Sequence, residues 1–353
     1  MINLPARYIS TGVVANGGMG SVVFCDDTHL ERRVAIKVLK DPRQRRRIID
    51  ELQALLKMRS KHVVQVYDVL RLEGEGLGIV QEFISGADLF DDQFKGLGLD
   101  SFLRIIWQIS AGIRDIHAAG VIHRDIKPNN MKIDSEGILK IYDFGLARDS
   151  GPTAMTRGFV GTQGFGAPEL FASEPTFTEA VDVYAFGATA LYIASGDLPD
   201  ELCSVPPSYL GSSYFSSLPL GLDPNLSAVL DACLSPNAMD RPSMDEVTAV
   251  LMRYMLRDKH QALAVYGRTP RYLNANNRSV NLDLKGVGSI GIKYTGLDFV
   301  VASASGEVSI NNRPPCIGES LPGSCVVSLG DGNRRATERA FITFDVSHPE
   351  IVL

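Results

Sequence analysis

Apolar and polar positions alternate in different ways along this chain, and the changes divide it. Near the N-terminus, β-branched residues gather in short runs such as Val34-Ala35-Ile36-Lys37, a pattern that predicts strands. Asp41-Pro42 then supplies an N-cap and a first-turn proline, and Ile48, Glu51, Leu52 and Leu55 share one face at i, i+3, i+4 spacing. That predicts a helix reaching about Met58. A second helix is expected from Ser101 to about Ala119, opened by a Ser or Asp cap and closed at Gly120. Its stripe of Leu103, Ile106, Trp107, Ile109, Ile113 and Ile116 reads as core packing. After a helical finish near Asp258 the pattern switches to period two. Short runs at Val280–Leu284, Ser289–Lys293, Phe299–Ala302, Val308–Ile310, Cys325–Leu329 and Ala340–Val346 lie between Gly, Asn and Pro turns. They predict a small all-β, sandwich-like domain, with Tyr266 to Asn277 as a linker or first strand.

Composition narrows the setting. The 353 residues suffice for two or three core-bearing units, and 45% hydrophobic with 22% charged content is ordinary for a soluble globular protein. A net charge of −6 argues against non-specific nucleic-acid binding. Cys25, Cys203, Cys233, Cys316 and Cys325 are odd in number and form no CxxC pair, which predicts reduced, buried thiols rather than a disulfide framework or zinc site. The longest apolar run, Val183 to Ala194, is too short to span a bilayer, and the N-terminus lacks a signal-peptide pattern. A cytoplasmic protein with no membrane and no nucleic-acid partner is the expectation.

The chemistry is concentrated in His123-Arg124-Asp125-Ile126-Lys127-Pro128-Asn129-Asn130 and, eighteen residues past Asp125, Asp143-Phe144-Gly145. Phosphoryl transfer from a metal nucleotide needs two carboxylates, an amide and a lysine at such spacings. One acid can accept the proton of an attacking hydroxyl, the other acid and the amide can hold magnesium, and the lysine offsets charge on the moving group. The predicted helix over 41–58 adds a constraint. Glu51 points where the apolar residues point, which is costly for a carboxylate without a cation, and Lys37 is the natural partner.

These motifs resemble the catalytic core of the eukaryotic-like (Hanks-type) serine/threonine protein kinases, particularly the bacterial members, over roughly residues 8 to 258. The resemblance implies an α+β, bilobal fold with a β-rich N-lobe (about 1–84) and a mainly helical C-lobe (about 85–260), followed by the β-rich residues 261–353. Ala15-Asn16-Gly17-Gly18-Met19-Gly20-Ser21-Val22 looks like the family's glycine-rich loop, with Ala15 standing at the first glycine. Val34 to Lys37 matches the V-A-I-K strand, and Lys37 with Glu51 the family's Lys–Glu pair. The backbone of Glu82 and Ile84 would then hold adenine beneath Val22 and Ala35, with Asp88 near the ribose and Gln81 at the gatekeeper position. Asp125 would take the substrate proton, Lys127 contact the γ-phosphate, and Asn130 and Asp143 bind magnesium (or manganese) on ATP. Lys127 is the serine/threonine form of the motif, and His123 is structural in this family.

Three departures stand out. Lys132 occupies the position of the apolar floor of the adenine pocket, where either its stem covers the base or its charge weakens and reshapes nucleotide binding. Gln163 replaces a proline in Gly161-Thr162-Gln163-Gly164-Phe165-Gly166-Ala167-Pro168-Glu169, and Ala15 replaces a glycine. In that segment Thr162 would shape the substrate subsite. Arg124 beside the catalytic aspartate suggests control by loop phosphorylation, with autophosphorylation expected at Thr156 and then Thr153. The Arg43, Arg45, Arg46 and Arg47 run reads as a solvated face or as a partner for that phosphate. Asp182 would hydrogen-bond the catalytic-loop backbone, and Arg241 would pair with Glu169. The last ninety residues loosely resemble part of a forkhead-associated domain, without an evident phosphate-gripping constellation, so a docking, regulatory or phosphopeptide-binding role is open there. A nucleotide-binding pseudokinase scaffold is the rival reading, and a small-molecule kinase is disfavoured by the intact peptide-platform segment.

Overall fold

The computed structural model describes residues 4–17, 20–39, 52, 56, 58–72, 76–144, 164–211, 213–267 and 269–347, with backbone alone at 15–17 and 20. The chain divides into two compact units, Met1–Leu251 and Met252–Val352.

The first unit begins with five antiparallel strands: β1 (Tyr8–Gly17), β2 (Gly20–Asp27), β3 (Arg32–Leu39), β4 (Val66–Arg71) and β5 (Leu77–Glu82). Their order is β1-β2-β3-β5-β4, so β3 is paired on both edges. Strand alternation explains what each face does. Val34, Ile36 and Val38 point into a core shared with Tyr8, Val23, Cys25 and Val80. Each such aliphatic side chain contributes roughly 1.5–3 kcal/mol on burial. Ala35 and Lys37 consequently take the opposite face. Register brings Val22 opposite Lys37, Phe24 opposite Ala35, and Gln81 opposite Ala35 from the other edge. One face of the sheet thus makes a core and the other makes the roof of a cleft.

Below this roof lies a three-stranded sheet of β6 (Ala87–Asp88), β7 (Met131–Ile133) and β8 (Leu139–Ile141). The helices that lie wholly within the described residues are α1 (Leu99–Ala118), α2 (Ala180–Ser195), the single turn α3 (Asp200–Cys203), α4 (Pro224–Cys233) and α5 (Met244–Met255). The expected stripe of α1 is buried at Leu103, Ile106, Ile109, Ile113 and Ile116, and the helix ends as expected, with Gly120 at φ +72°. Its start differs. The helix begins at Leu99 with Gly98 at the N-cap and no side-chain cap, because Asp100 and Ser101 already lie in the first turn. At Gly112 the helix presses on β8, where an added Cβ would lie 2.8 Å from Ile141 Cδ1 and 3.0 Å from the His62 carbonyl oxygen. Helix α2 is buried from Val181 to Ala194, so its hydrophobicity is that of an interior helix. The expected helix over 41–58 lies outside the described residues, save Leu52 and Leu56, which are helical, and Met58.

Among its described residues the second unit is β-structured apart from the end of α5 and a short 3-10 turn at Ala336–Glu338. Strands β9 (Ala262–Tyr266), β10 (Thr269–Leu273), β14 (Val308–Ile310), β15 (Ser324–Leu329) and β16 (Ala340–Val346) form one sheet in the order β10-β9-β16-β15-β14. Strands β11 (Ser279–Leu284), β12 (Gly288–Tyr294) and β13 (Phe299–Gly306) form another. Buried residues of both sheets, among them Val280, Ile292, Val327 and Phe344, make one core. Tyr294 stacks on Phe299 at 4.5 Å within it. All six expected alternating runs are strands. The stretch Tyr266 to Asn277, expected as a linker or first strand, holds β10 and only the last residue of β9, a strand whose inward Ala262 and Ala264 are too small to register as a hydrophobic signal.

Candidate active site

The loop between α1 and β7 carries the first motif, and its shape is set by a buried acid. Asp182, 1% exposed in α2, accepts the backbone N–H of His123 and of Arg124, both at 2.8 Å. His117 Nε2 lies 3.0 Å from the same carboxylate. The loop needs this grip because Arg124 sits at φ +67°, a left-handed conformation that disfavours a residue with a Cβ. Asp143, at φ +62°, is the other such residue of the two motifs.

His123 is fully buried and works as a brace. The Asp125 N–H donates to its Nδ1 at 3.3 Å, which makes Nε2 the protonated nitrogen, donating to the Tyr142 carbonyl at 3.2 Å. Burial holds the imidazole below its usual pKa, in keeping with this neutral tautomer. The ring also packs 4.6 Å from Phe144, joining the two motifs.

The chemical groups converge as pairs. Asp125 Oδ2 is 3.0 Å from Lys127 Nζ and accepts the Asn130 side-chain N–H at 2.9 Å, while the same Asn130 nitrogen donates to the Asp125 carbonyl at 2.7 Å. Lys37 forms an ion pair with Asp143. Glu51, the expected partner of Lys37, lies outside the described part of the chain, as do Gly18, Thr153, Thr156 and Thr162. The donor set suits a hard cation. With its nitrogen committed to Asp125, Asn130 retains Oδ1, and Asp143 retains the carboxylate oxygen turned from Lys37, so oxygens of an amide and a carboxylate are on offer.

A cleft of about 860 Å³ opens beneath the roof. Val22 and Ala35 line it from above, Gln81, Glu82 and Ile84 from the back, and Asp88, Lys132 and Tyr142 from below. Among the described residues the Ile84 N–H has no hydrogen-bond partner. Strands β1 and β2 pair Ala15 with Val22 and Gly17 with Gly20, which places these two glycines at the end of the described hairpin. Glu82 is held by Lys140 at 3.0 Å. Lys132 lies opposite Asp88 in the β6–β7 register, its ammonium 3.5 Å from the Asp88 carboxylate and its stem in the cleft.

Sequence reading missed Tyr142. Its hydroxyl lies 3.1 Å from Asp88 Oδ1 and 2.9 Å from the Asn129 carbonyl oxygen. The available signal was a bulky phenol directly before Asp143, at the end of a strand whose alternation turns it toward the cleft. Around the site the scaffold contacts expected from the resemblance are present. Arg241 binds Glu169 through two parallel N–H bonds of 2.7 and 2.8 Å and donates to the Ala180 carbonyl at 2.8 Å. Arg124 lies 5.4 Å from the Phe177 ring.

Comparison with known proteins agrees with this geometry. A family model of the protein kinase domain matches residues 8–251. A serine/threonine-protein kinase of Corynebacterium efficiens, drp72, is 36% identical over 206 residues, 54% of this chain and 39% of that protein. Serine/threonine-protein kinase PknA of Mycobacterium tuberculosis is 32% identical over 270 residues, 70% of this chain and 62% of PknA. The chain therefore spans less than two thirds of these relatives' length. In fold it is similar to the crystal structure of Rad53 1-466 in complex with AMP-PNP, with a TM-score of 0.54 and 24% identity over 69% of this chain and 64% of that one. With the match covering well over half of its length and both acidic motifs seated on the matched scaffold, the chain belongs to the protein kinase domain family.

Proposed function

We propose that the protein is a serine/threonine kinase that transfers the γ-phosphate of ATP to hydroxyls of protein substrates. The observation that carries this reading is the Asp125–Lys127–Asn130 cluster beside the Lys37–Asp143 pair. Asp125 is oriented by a cation and an amide on the same oxygen, and its carboxylate is the group that would accept a hydroxyl proton. The substrate oxygen then bonds to phosphorus as the bond to the departing ADP breaks, and its proton passes to Asp125. Lys127 is placed to offset negative charge on the moving phosphoryl group. Asn130 and Asp143 would hold magnesium, which supplies charge neutralisation on the nucleotide phosphates. Lys37 fixes the Asp143 carboxylate from the roof, and the cleft beneath Val22 and Ala35 takes the base, with the Ile84 N–H as a donor to it.

Autophosphorylation at Thr156 and Thr153, with Arg124 receiving the phosphate and Thr162 shaping the substrate subsite, belongs to the same proposal. So does the partition into a kinase domain over 1–260 and a docking or regulatory domain over 261–353, sandwich-like and loosely forkhead-like. Two sheets closing on one core support the sandwich reading. The test is phosphoamino-acid analysis after incubation with Mg-ATP labelled at the γ-phosphate. Phosphoserine or phosphothreonine with wild type, and none with Asp143→Ala, is expected; equal labelling of both proteins would refute the assignment.

A further inference from the structure

Tyr142 is held in place from both sides of its backbone. Its N–H donates to the Asn130 carbonyl at 2.9 Å, and its carbonyl accepts from His123 Nε2 at 3.2 Å. The side chain is therefore carried by the catalytic loop itself rather than by a free segment. Its hydroxyl reaches two oxygen acceptors, Asp88 Oδ1 and the Asn129 carbonyl. A phenol has one hydrogen and can fully satisfy only one of them at a time. Both partners are acceptor oxygens, and a phenol keeps its hydrogen near neutral pH, so the hydroxyl is the donor in either contact. The Lys132 ammonium, 3.5 Å away, adds a second claim on Asp88 Oδ1.

The half-exposed Asp88 carboxylate on the floor of the cleft and the Asn129 carbonyl that Tyr142 also reaches suit a vicinal diol, which brings two hydroxyl donors where Tyr142 brings one. We propose that the Tyr142 hydroxyl occupies the sugar-hydroxyl subsite of the nucleotide cleft, so that a ribonucleotide binds by exchange, its hydroxyls displacing Tyr142 from Asp88 and Asn129. This rests on the kinase reading above and makes Tyr142 a determinant of nucleotide affinity and sugar selectivity. Hydrogen bonds formed by the sugar take the place of those that Tyr142 gives up. The free energy expected from ribose hydroxyls is thereby partly cancelled, and the enzyme is tuned to a weaker hold on ATP than its polar groups alone would give.

The test is calorimetric titration of the full chain with ATP and with 2′,3′-dideoxy-ATP, in magnesium. Wild type is expected to bind the two within about threefold of each other, a comparison that needs no variant. Tyr142→Phe, which keeps the ring and removes the competing hydroxyl, is expected to tighten ATP by about five- to tenfold and to change dideoxy-ATP by less than about twofold. A wild-type preference for ATP of about tenfold or more, or a Tyr142→Phe variant with an unchanged ratio, overturns the exchange while leaving the kinase reading intact. Binding of neither nucleotide by wild type overturns both.

Discussion

Asp182 holds the His123–Arg124 backbone and His117 with one buried carboxylate. Its two oxygens hold adjacent N–H groups at 2.8 Å each, and one of those residues is in a left-handed conformation. Asp182→Ala would leave two buried donors unmatched and release the loop, at a cost of about 3 kcal/mol or more. Thermal denaturation should show a clear fall in midpoint; an unchanged midpoint would remove Asp182 from its assigned role. Asp27 offers a pH test of the same kind. The Arg7 guanidinium, bound through two 2.7 Å contacts, holds its carboxyl down at about 2, against a usual 3.8. A depressed carboxylate contributes stability that is complete above its unfolded pKa and is lost as pH falls through the folded one. Denaturant midpoints should therefore fall more steeply between about pH 4 and pH 2 in wild type than in Asp27→Asn. Parallel curves would mean that the Arg7–Asp27 pair adds nothing.

At the scale of elements, close approach and shared partners decide what can change. Gly112 is where α1 meets β8, so Gly112→Ala forces Ile141 or the His62 backbone to move and should cost about 1–3 kcal/mol, measurable by urea unfolding. A variant as stable as wild type would show that this contact can relax. Arg241→Lys should be comparably damaging, because a lysine cannot reproduce the two parallel bonds to Glu169 together with the bond to the Ala180 carbonyl. The elements that sequence discloses best are those with strong period signals: the α1 stripe, and the strands at Val308–Ile310 and Ala340–Val346, whose bounds agree to the residue. The start of α1 is less legible because Asp100 and Ser101 suit a cap by type, whereas the chain already turns helical at Leu99. The β9–β10 hairpin is blurred by alanines at its inward positions. In the cleft, Lys132 is visible as an odd residue at a known position, but its partner Asp88 lies 44 residues away and only the β6–β7 register brings them together. Tyr142 is hidden for the same reason, since its two acceptors come from separate segments.

For the whole molecule, the first unit carries a cleft, two strained motif residues and a set of paired charges, while the second carries a closed apolar core of its own. Among the described residues no helix is long and apolar enough to cross a membrane. The kinase match ends at Leu251, where the first unit also ends, so the chemistry assigned to this chain rests on that unit. In the proposed function Asp125, aligned by Lys127 and Asn130, takes the proton from a serine or threonine hydroxyl during transfer from ATP. The most direct measurement is the initial rate of γ-phosphate transfer from Mg-ATP to a protein acceptor by the full chain, wild type against Asp125→Asn, with ATP affinity measured in parallel. A fall of about 10²–10⁴-fold in rate with ATP affinity held within a few fold is the predicted result. Equal rates in the two proteins, whether high or at background, would contradict it.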